Sequence, residues 1–78
     1  MGHRDYKTLG YKQYIFRFYF HNQKIEILNT KYEQLKIIDI ENKDLDNLER
    51  IVEERGAEMF DFFKQTIKKY NLDNFKKS

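Results

Sequence analysis

The stretch YIFRFYFHNQKIEIL, Tyr14–Leu28, has the clearest periodic pattern in the chain. Phenylalanine occupies every second position over 16–20, and Ile25 and Ile27 resume the same alternation after a short polar break. A period of two is typical of a strand with one buried face. The pattern predicts a β-hairpin in which the row of phenylalanines is core.

The polar break at 21–24, HNQK, predicts a tight turn at Asn22-Gln23, because Asn tolerates a positive φ. A loop of two or four residues pairs residues whose numbers sum to 45, which keeps the apolar residues of both strands on one face. The predicted core pairs are Phe20–Ile25 and Phe18–Ile27, and the predicted pairs on the opposite face are Tyr19–Glu26 and Arg17–Leu28.

The sequence predicts one α+β domain, 11–78, behind a flexible N-terminal tail, 1–10, which has no usable period and ends in Gly10. The predicted fold is a three-stranded antiparallel β-meander packed on one long C-terminal α-helix. The strands are predicted at about 11–21, 24–29 and 33–40, and the helix at about 43–71.

The third strand has an alternative. Thr30 and Glu33 would form a capping box for a short helix that starts at Lys31. However, the apolar residues at 35 and 37 alternate, and those at 38 and 40 alternate in the opposite phase, as in a strand with a bulge. We favour the strand, because a third strand completes a viable sheet.

From Asn42 the apolar period becomes helical, and Asn42 or Asp44 would cap the helix. Gly56 would usually end it. At 100° per residue, however, the apolar residues before and after Gly56 share one face, and two helices separated by a turn would seldom keep phase. We therefore predict one helix, roughly 43 Å long, in which Gly56 lets another backbone come close.

A helix of that length overhangs strands of about 25 Å. Its C-terminal half carries a wide aromatic stripe, and an exposed patch of that size usually has a partner. A chain of 78 residues also has a marginal core. We therefore predict a homodimer through this half of the helix, or a protein partner at the same place. The interaction candidates are Met59, Phe62, Phe63, Ile67 and Tyr70.

The composition excludes several kinds of catalytic and metal site. The chain has no cysteine, which removes disulfides, thiolate catalysis and Cys-based zinc sites. His3 and His21 have no second ligand at metal spacing, and the chain has neither a glycine-rich phosphate loop nor a nucleophile elbow. We expect a protein that is not an enzyme and uses no cofactor, metal or small-molecule substrate.

A nucleic-acid-binding module is the alternative function. Residues 1–24 carry a net charge of +4, and basic residues beside tyrosine suit phosphate contacts and base stacking. The candidates, on the basic face of the N-terminal hairpin and just upstream of it, are Lys7, Lys12, Arg17 and Tyr19. Against DNA or RNA, residues 44–63 carry −5, and the whole chain only +2.

The preferred function is a small protein-interaction or inhibitor-type regulatory protein. No run approaches the ~18 apolar residues of a membrane span, so we expect a cytoplasmic protein without a membrane partner. Six residue types with AT-rich codons (Phe, Tyr, Met, Ile, Asn and Lys) make up 40 of the 78 residues. Compact cysteine-free proteins from AT-rich genes are frequent in phages and mobile elements, which is the source that we expect.

Overall fold

A computed structural model describes residues 6–72. Its elements in chain order are β1 (Lys7–Tyr11), β2 (Tyr14–Tyr19), β3 (Lys24–Asn29), β4 (Gln34–Asp39), α1 (Asn42–Glu54) and α2 (Ala57–Lys69). The strands form one antiparallel sheet in the order β1-β2-β3-β4. The predicted α+β class is confirmed, but the sheet has four strands instead of three, and two helices replace the single long one.

The first strand lies where the sequence predicts a flexible tail. β1 pairs with β2 over its whole length, with Leu9 opposite Phe16 and Gly10 opposite Ile15. The prediction is therefore wrong for residues 7–10, while residues 1–5 of the tail, like residues 73–78 of the domain, lie outside the described part. The predicted strand 11–21 is interrupted at Lys12, whose φ of 56° lets the chain turn back on itself.

The β2–β3 hairpin has the predicted faces and a different register. Phe18 lies opposite Ile25 and Phe16 opposite Ile27, so the paired numbers sum to 43. The turn starts earlier than predicted, since the Gln23 N–H donates to the carbonyl of Phe20 at 3.2 Å. A shift of two residues leaves every side chain on its predicted face, because the side-chain period of a strand is also two.

β4 confirms the predicted third strand of the meander, and the short helix at Lys31 does not form. Ile27 pairs with Lys36 but Leu28 pairs with Gln34, so Leu35 is an additional residue in β4. The strand therefore has the predicted bulge, but the bulge lies at Leu35, about two residues before the change of phase at 37–38. The bulge turns Leu35 towards the core, which it contacts.

Asn29, and not Thr30, organises the turn before β4. Its side-chain oxygen accepts the N–H groups of Lys31 and Glu33 at 2.8 and 2.9 Å, and its amide nitrogen donates to the Glu33 carboxylate at 2.8 Å. Such local side-chain bonds to the backbone compete with helix formation. They hold Tyr32 in a left-handed conformation with a φ of 63°.

The helical region breaks between residues 54 and 57. Arg55 has a left-handed φ of 52° and donates its N–H to the carbonyl of Ile51, and Gly56 then starts α2 by accepting the N–H of Met59. A left-handed non-glycine residue costs roughly 1–2 kcal/mol. The break allows α2 to bury Met59, Phe63 and Ile67 against the core, and each such side chain contributes roughly 1.5–3 kcal/mol, so burial exceeds the strain.

The other predictions for this region are also corrected. The long axis of the molecule measures 36 Å, less than the predicted helix alone. The apolar stripes of α1 and α2 face the same way because both helices pack on the same face of the sheet. Apart from its two chain neighbours, no heavy atom of residues 6–72 lies within 4 Å of the position that a Cβ on Gly56 would take, so no backbone of that range approaches there. Glu41, not Asn42 or Asp44, is the N-terminal capping residue, and its side chain makes no capping hydrogen bond.

The core lies between the helices and one face of the sheet. Phe16, Phe18 and Phe63 are fully buried, and the Phe63 ring lies 4.4 Å from the Phe16 ring and 5.3 Å from that of Tyr11, centroid to centroid. The row of phenylalanines in β2 is therefore core, as predicted. Phe20 ends the row at the turn and is only partly buried.

We predict that Phe63→Ala lowers the free energy of unfolding by roughly 3–5 kcal/mol, because it leaves a cavity beneath α2. Phe60→Ala is the matched control: Phe60 lies on the same helix but is 46% exposed, and its truncation should cost less than about 1 kcal/mol. Urea unfolding followed by circular dichroism measures both. Equal losses in the two variants would contradict this account of the core.

Candidate interaction surfaces

The structure divides the five predicted interaction residues of the helix into two groups. Met59, Phe63 and Ile67 are buried in the core, so the predicted exposed overhang does not exist. α2 lies against the sheet, and the stripe that was expected to meet a partner meets β2 instead. Phe62 and Tyr70 are partly buried at the edge of the core and remain accessible. The homodimer through this half of the helix therefore loses the exposed patch on which it was predicted.

Phe62 and Tyr70 line a groove of about 520 Å³, which we call the interhelical groove. Each helix contributes one stripe at helical spacing, and the ends of β3 and β4 close the bottom. Its lining residues are Ile25, Ile38, Asp39, Ile40 and Glu41 from the sheet and the following loop, Asp44, Asn47, Leu48 and Ile51 from α1, and Phe62, Gln65, Thr66, Lys69 and Tyr70 from α2 and its C-terminal end.

The floor of the interhelical groove is apolar, and one unpaired carboxylate of α1, that of Asp44, lines it. Ile25, Ile40 and Leu48 are buried there, and the Thr66 hydroxyl donates to the carbonyl of Phe62 at 2.8 Å, so it adds no unpaired polar group. α1 carries five acidic and two basic side chains. Within residues 6–72, four of these carboxylates make no ion pair, those of Asp44, Asp46, Glu49 and Glu53.

Tyr70 is held at the other end of the groove by two lysines. The Lys36 ammonium of β4 lies 5.0 Å from the centre of its ring, and the Lys69 ammonium lies 5.3 Å away. Such cation–π contacts are worth roughly 0.5–1 kcal/mol at exposed sites. The ring of this predicted interaction residue therefore contacts the sheet through Lys36 and stays partly exposed.

The second surface is the face of the sheet that the helices leave uncovered. It is built around Arg17, whose guanidinium carbon lies 5.3 Å from the Tyr6 ring and 5.8 Å from the Tyr32 ring. Leu28 is only 3% exposed although it is not part of the main core, so its neighbours on this face cover it. We call this surface the tyrosine–arginine face and define it by Tyr6, Ile15, Arg17, Tyr19, Lys24, Glu26, Leu28, Tyr32, Ile37 and Asp39.

Glu26 ties the centre of this face together. It lies opposite Arg17 in the sheet, accepts a hydrogen bond from the Tyr19 hydroxyl at 3.0 Å and forms an ion pair with Arg17 at 3.5 Å. The pKa of Tyr19 is raised, first by partial burial and then by its hydrogen bond to Glu26. The pKa of Arg17 is also raised, mainly by hydrogen bonding to Tyr19. The Arg17 Nε is buried and has no hydrogen-bond partner among the described residues.

The four nucleic-acid candidates do not form one surface. Arg17 and Tyr19 lie on the tyrosine–arginine face. Lys7 lies opposite Phe18 and therefore projects on the helix side of the sheet. Lys12 is in the β1–β2 turn, with its ammonium 5.6 Å from the ring of Tyr11, which also faces the helices.

The two exposed apolar or aromatic members of the tyrosine–arginine face are not among the residues predicted from the sequence. Tyr32 is 63% exposed and Ile37 is 47% exposed. The sequence does carry a signal for Ile37. The alternation of Leu35 and Ile37 changes phase at Ile38 and Ile40, so Ile37 and Ile38 must point to opposite faces of the sheet. Tyr32 has no such signal, because only the Asn29 turn directs it towards Arg17.

Residues 6–72 contain no group of three or more His, Asp or Glu side chains that could hold a metal ion. His21 is exposed at the β2–β3 turn, and His3 lies outside the described part. No helix in the same range is long and apolar enough to cross a membrane.

We predict that Tyr19→Phe lowers the free energy of unfolding at pH 7 by about 1 kcal/mol, because Glu26 loses its donor. A phenol with a raised pKa stabilises the fold below the pKa of an unfolded tyrosine, about 10, and this stabilisation is lost as the pH rises further. The gap between the two proteins should therefore shrink from pH 9 to 11 in urea unfolding. A gap that stays constant over this range would contradict the assignment.

Comparisons with known proteins give no identification: no protein family, no curated protein and no solved structure matches this chain.

Proposed function

We propose that this protein is a small non-enzymatic regulator that binds a basic, amphipathic segment of a partner protein in the interhelical groove. The observation that carries the proposal is the combination of an apolar floor with the carboxylates of Glu41 and Asp44 in one open concavity. An amphipathic helix that lays its apolar face into a hydrophobic groove is a common mode of peptide recognition. The groove volume is within the range of ordinary binding pockets.

Charge supports a basic partner. The carboxylate of Asp44 lines the groove and makes no ion pair among residues 6–72. Asp46, Glu49 and Glu53 add negative charge to α1 outside the groove lining. They would attract a basic segment towards α1, and repel an acidic one, because unpaired charges of one sign steer the approach of the opposite sign.

The apolar contacts set the expected affinity. Each large side chain fully buried by the partner contributes roughly 1.5–3 kcal/mol, and two anchors beside Phe62 and Leu48 would contribute roughly 3–6 kcal/mol. The rest must come from charge, since association itself has a large entropic cost. We expect micromolar binding, which suits reversible regulation, including inhibition of the partner.

The test uses a defined probe, a 14-residue amphipathic peptide of leucine and lysine, titrated into ¹⁵N-labelled protein. We expect saturable chemical-shift changes at Leu48, Ile51 and Thr66, and a dissociation constant in the micromolar range. A peptide in which glutamate replaces every lysine is the control, and it should bind at least tenfold more weakly.

A pair of variants separates the groove from general attraction to α1. Asp44→Lys and Glu53→Lys make the same change of charge on the same helix, but only Asp44 lines the groove. We predict that Asp44→Lys weakens binding of the leucine–lysine peptide by about tenfold, roughly 1.4 kcal/mol, and that Glu53→Lys weakens it less than threefold. Equal effects, or shifts confined to other residues, would refute the groove as the binding site.

The residues that would bind nucleic acid in the alternative function are not concentrated on one surface. Its four candidate residues lie on different sides of the sheet, and Arg17 already faces Glu26. The alternative is tested by measuring the binding of fluorescent DNA and RNA oligonucleotides at about 50 and 200 mM salt. Micromolar binding that falls at least tenfold between these salt concentrations and is lost in Arg17→Glu would support that alternative over a protein partner.

A further inference from the structure

We infer that the tyrosine–arginine face is the contact between two copies of this chain, packed sheet against sheet. This dimer does not depend on the interhelical groove, which lies on the helix side of the sheet and shares only Asp39, at the end of β4, with the tyrosine–arginine face. It starts from the placement of the exposed apolar side chains. Three large apolar or aromatic residues among those described are exposed, and Tyr32 and Ile37, two of the three, belong to this face. The third, Phe60, lies on α2.

The charges of the face are already balanced. Arg17 forms an ion pair with Glu26, and Lys24 forms one with Asp39. The strand positions of the face thus carry two cations and two carboxylates, and no net charge. A second copy can approach without repulsion, whereas a highly charged partner or a nucleic acid gains little. A two-fold axis also places the same patch on both sides, so cations and carboxylates of one copy can face those of the other.

The residue types are those of protein interfaces. Tyrosine and arginine are enriched in interface centres and among the residues that contribute most to binding. The Arg17 guanidinium forms an ion pair with Glu26 and lies within 6 Å of two tyrosine rings, so little side-chain entropy remains to be lost on association. Ile15, Leu28 and Ile37 supply the apolar area around it.

The size of the face sets the expected strength. Four strands spaced about 4.8 Å apart, five or six residues long at about 3.3 Å per residue, give a footprint of roughly 20 by 20 Å. Two such footprints total about 800 Å², somewhat below the roughly 1,000 Å² expected of a stable specific interface. We therefore expect a reversible dimer in the micromolar range. The helices of both copies would face outwards, on opposite sides of the pair.

The test is sedimentation velocity from 5 to 200 µM. The weight-average mass of the unmodified protein should rise from 9.7 kDa towards twice that value. Ile37→Lys should keep the protein monomeric over the whole range. It places lysine opposite Glu26, so the fold should tolerate it. Phe60→Lys is the matched control, because the two residues are 47% and 46% exposed and both variants add one positive charge.

Two results would overturn the inference. One is a monomer at 200 µM for the unmodified protein. The other is a dimer that Phe60→Lys abolishes and Ile37→Lys does not, which would place the contact on the helices. If Ile37→Lys does not fold, Tyr32→Asn gives the same information, since Asn tolerates the left-handed φ of this turn residue. It should weaken dimerisation at least tenfold.

Discussion

The contact on which the rest of the structure depends is the stack of Phe63 on Phe16, with ring centres 4.4 Å apart. It holds α2 on the sheet through a fully buried side chain. Without it, α1 and α2 could continue as one helix. The left-handed conformation of Arg55 would then cost free energy that no buried side chain of α2 offsets. Because α2 is held there, the chain breaks at 55–56, and the two helices leave the interhelical groove between them. The same contact turns the aromatic stripe of the helix into core.

The hydrophobic alternation predicts the faces of the sheet correctly, and faces are what it can predict. It does not determine the register of β2 and β3, because a shift of two residues keeps every face. β1 is missed because the turn at Lys12-Gln13 has neither Asn nor Gly to mark a positive φ. The helix break is missed because both apolar stripes pack on one sheet, so continuity of phase does not distinguish one helix from two.

The sequence pattern likewise identifies some residues of the candidate sites and misses others. Phe62 and Tyr70 are found from the sequence because they belong to the apolar stripe, and they do reach an accessible groove. The stripe alone cannot separate them from Met59, Phe63 and Ile67, since that depends on where α2 lies. The arrangement of Tyr6 and Tyr32 around Arg17 depends on the Asn29 turn and on β1, two features for which the sequence offers no clear pattern.

The sheet separates two surfaces of different character. The groove side joins an apolar floor to the unpaired carboxylate of Asp44, which favours a basic segment of a partner. The tyrosine–arginine face has its charges paired within itself, which favours a second copy. Both proposals require that α2 occupy the sheet, because only then is one face covered and the other left open.

The most direct measurement is therefore an NMR analysis of where α2 lies, with selectively labelled phenylalanine. We expect nuclear Overhauser contacts between the Phe63 ring and the rings of Phe16 and Tyr11, with non-helical carbon shifts at Arg55 and Gly56. Helical shifts that continue through 55–56, with no contact between Phe63 and β2, would contradict this expectation and return the molecule to a single long helix.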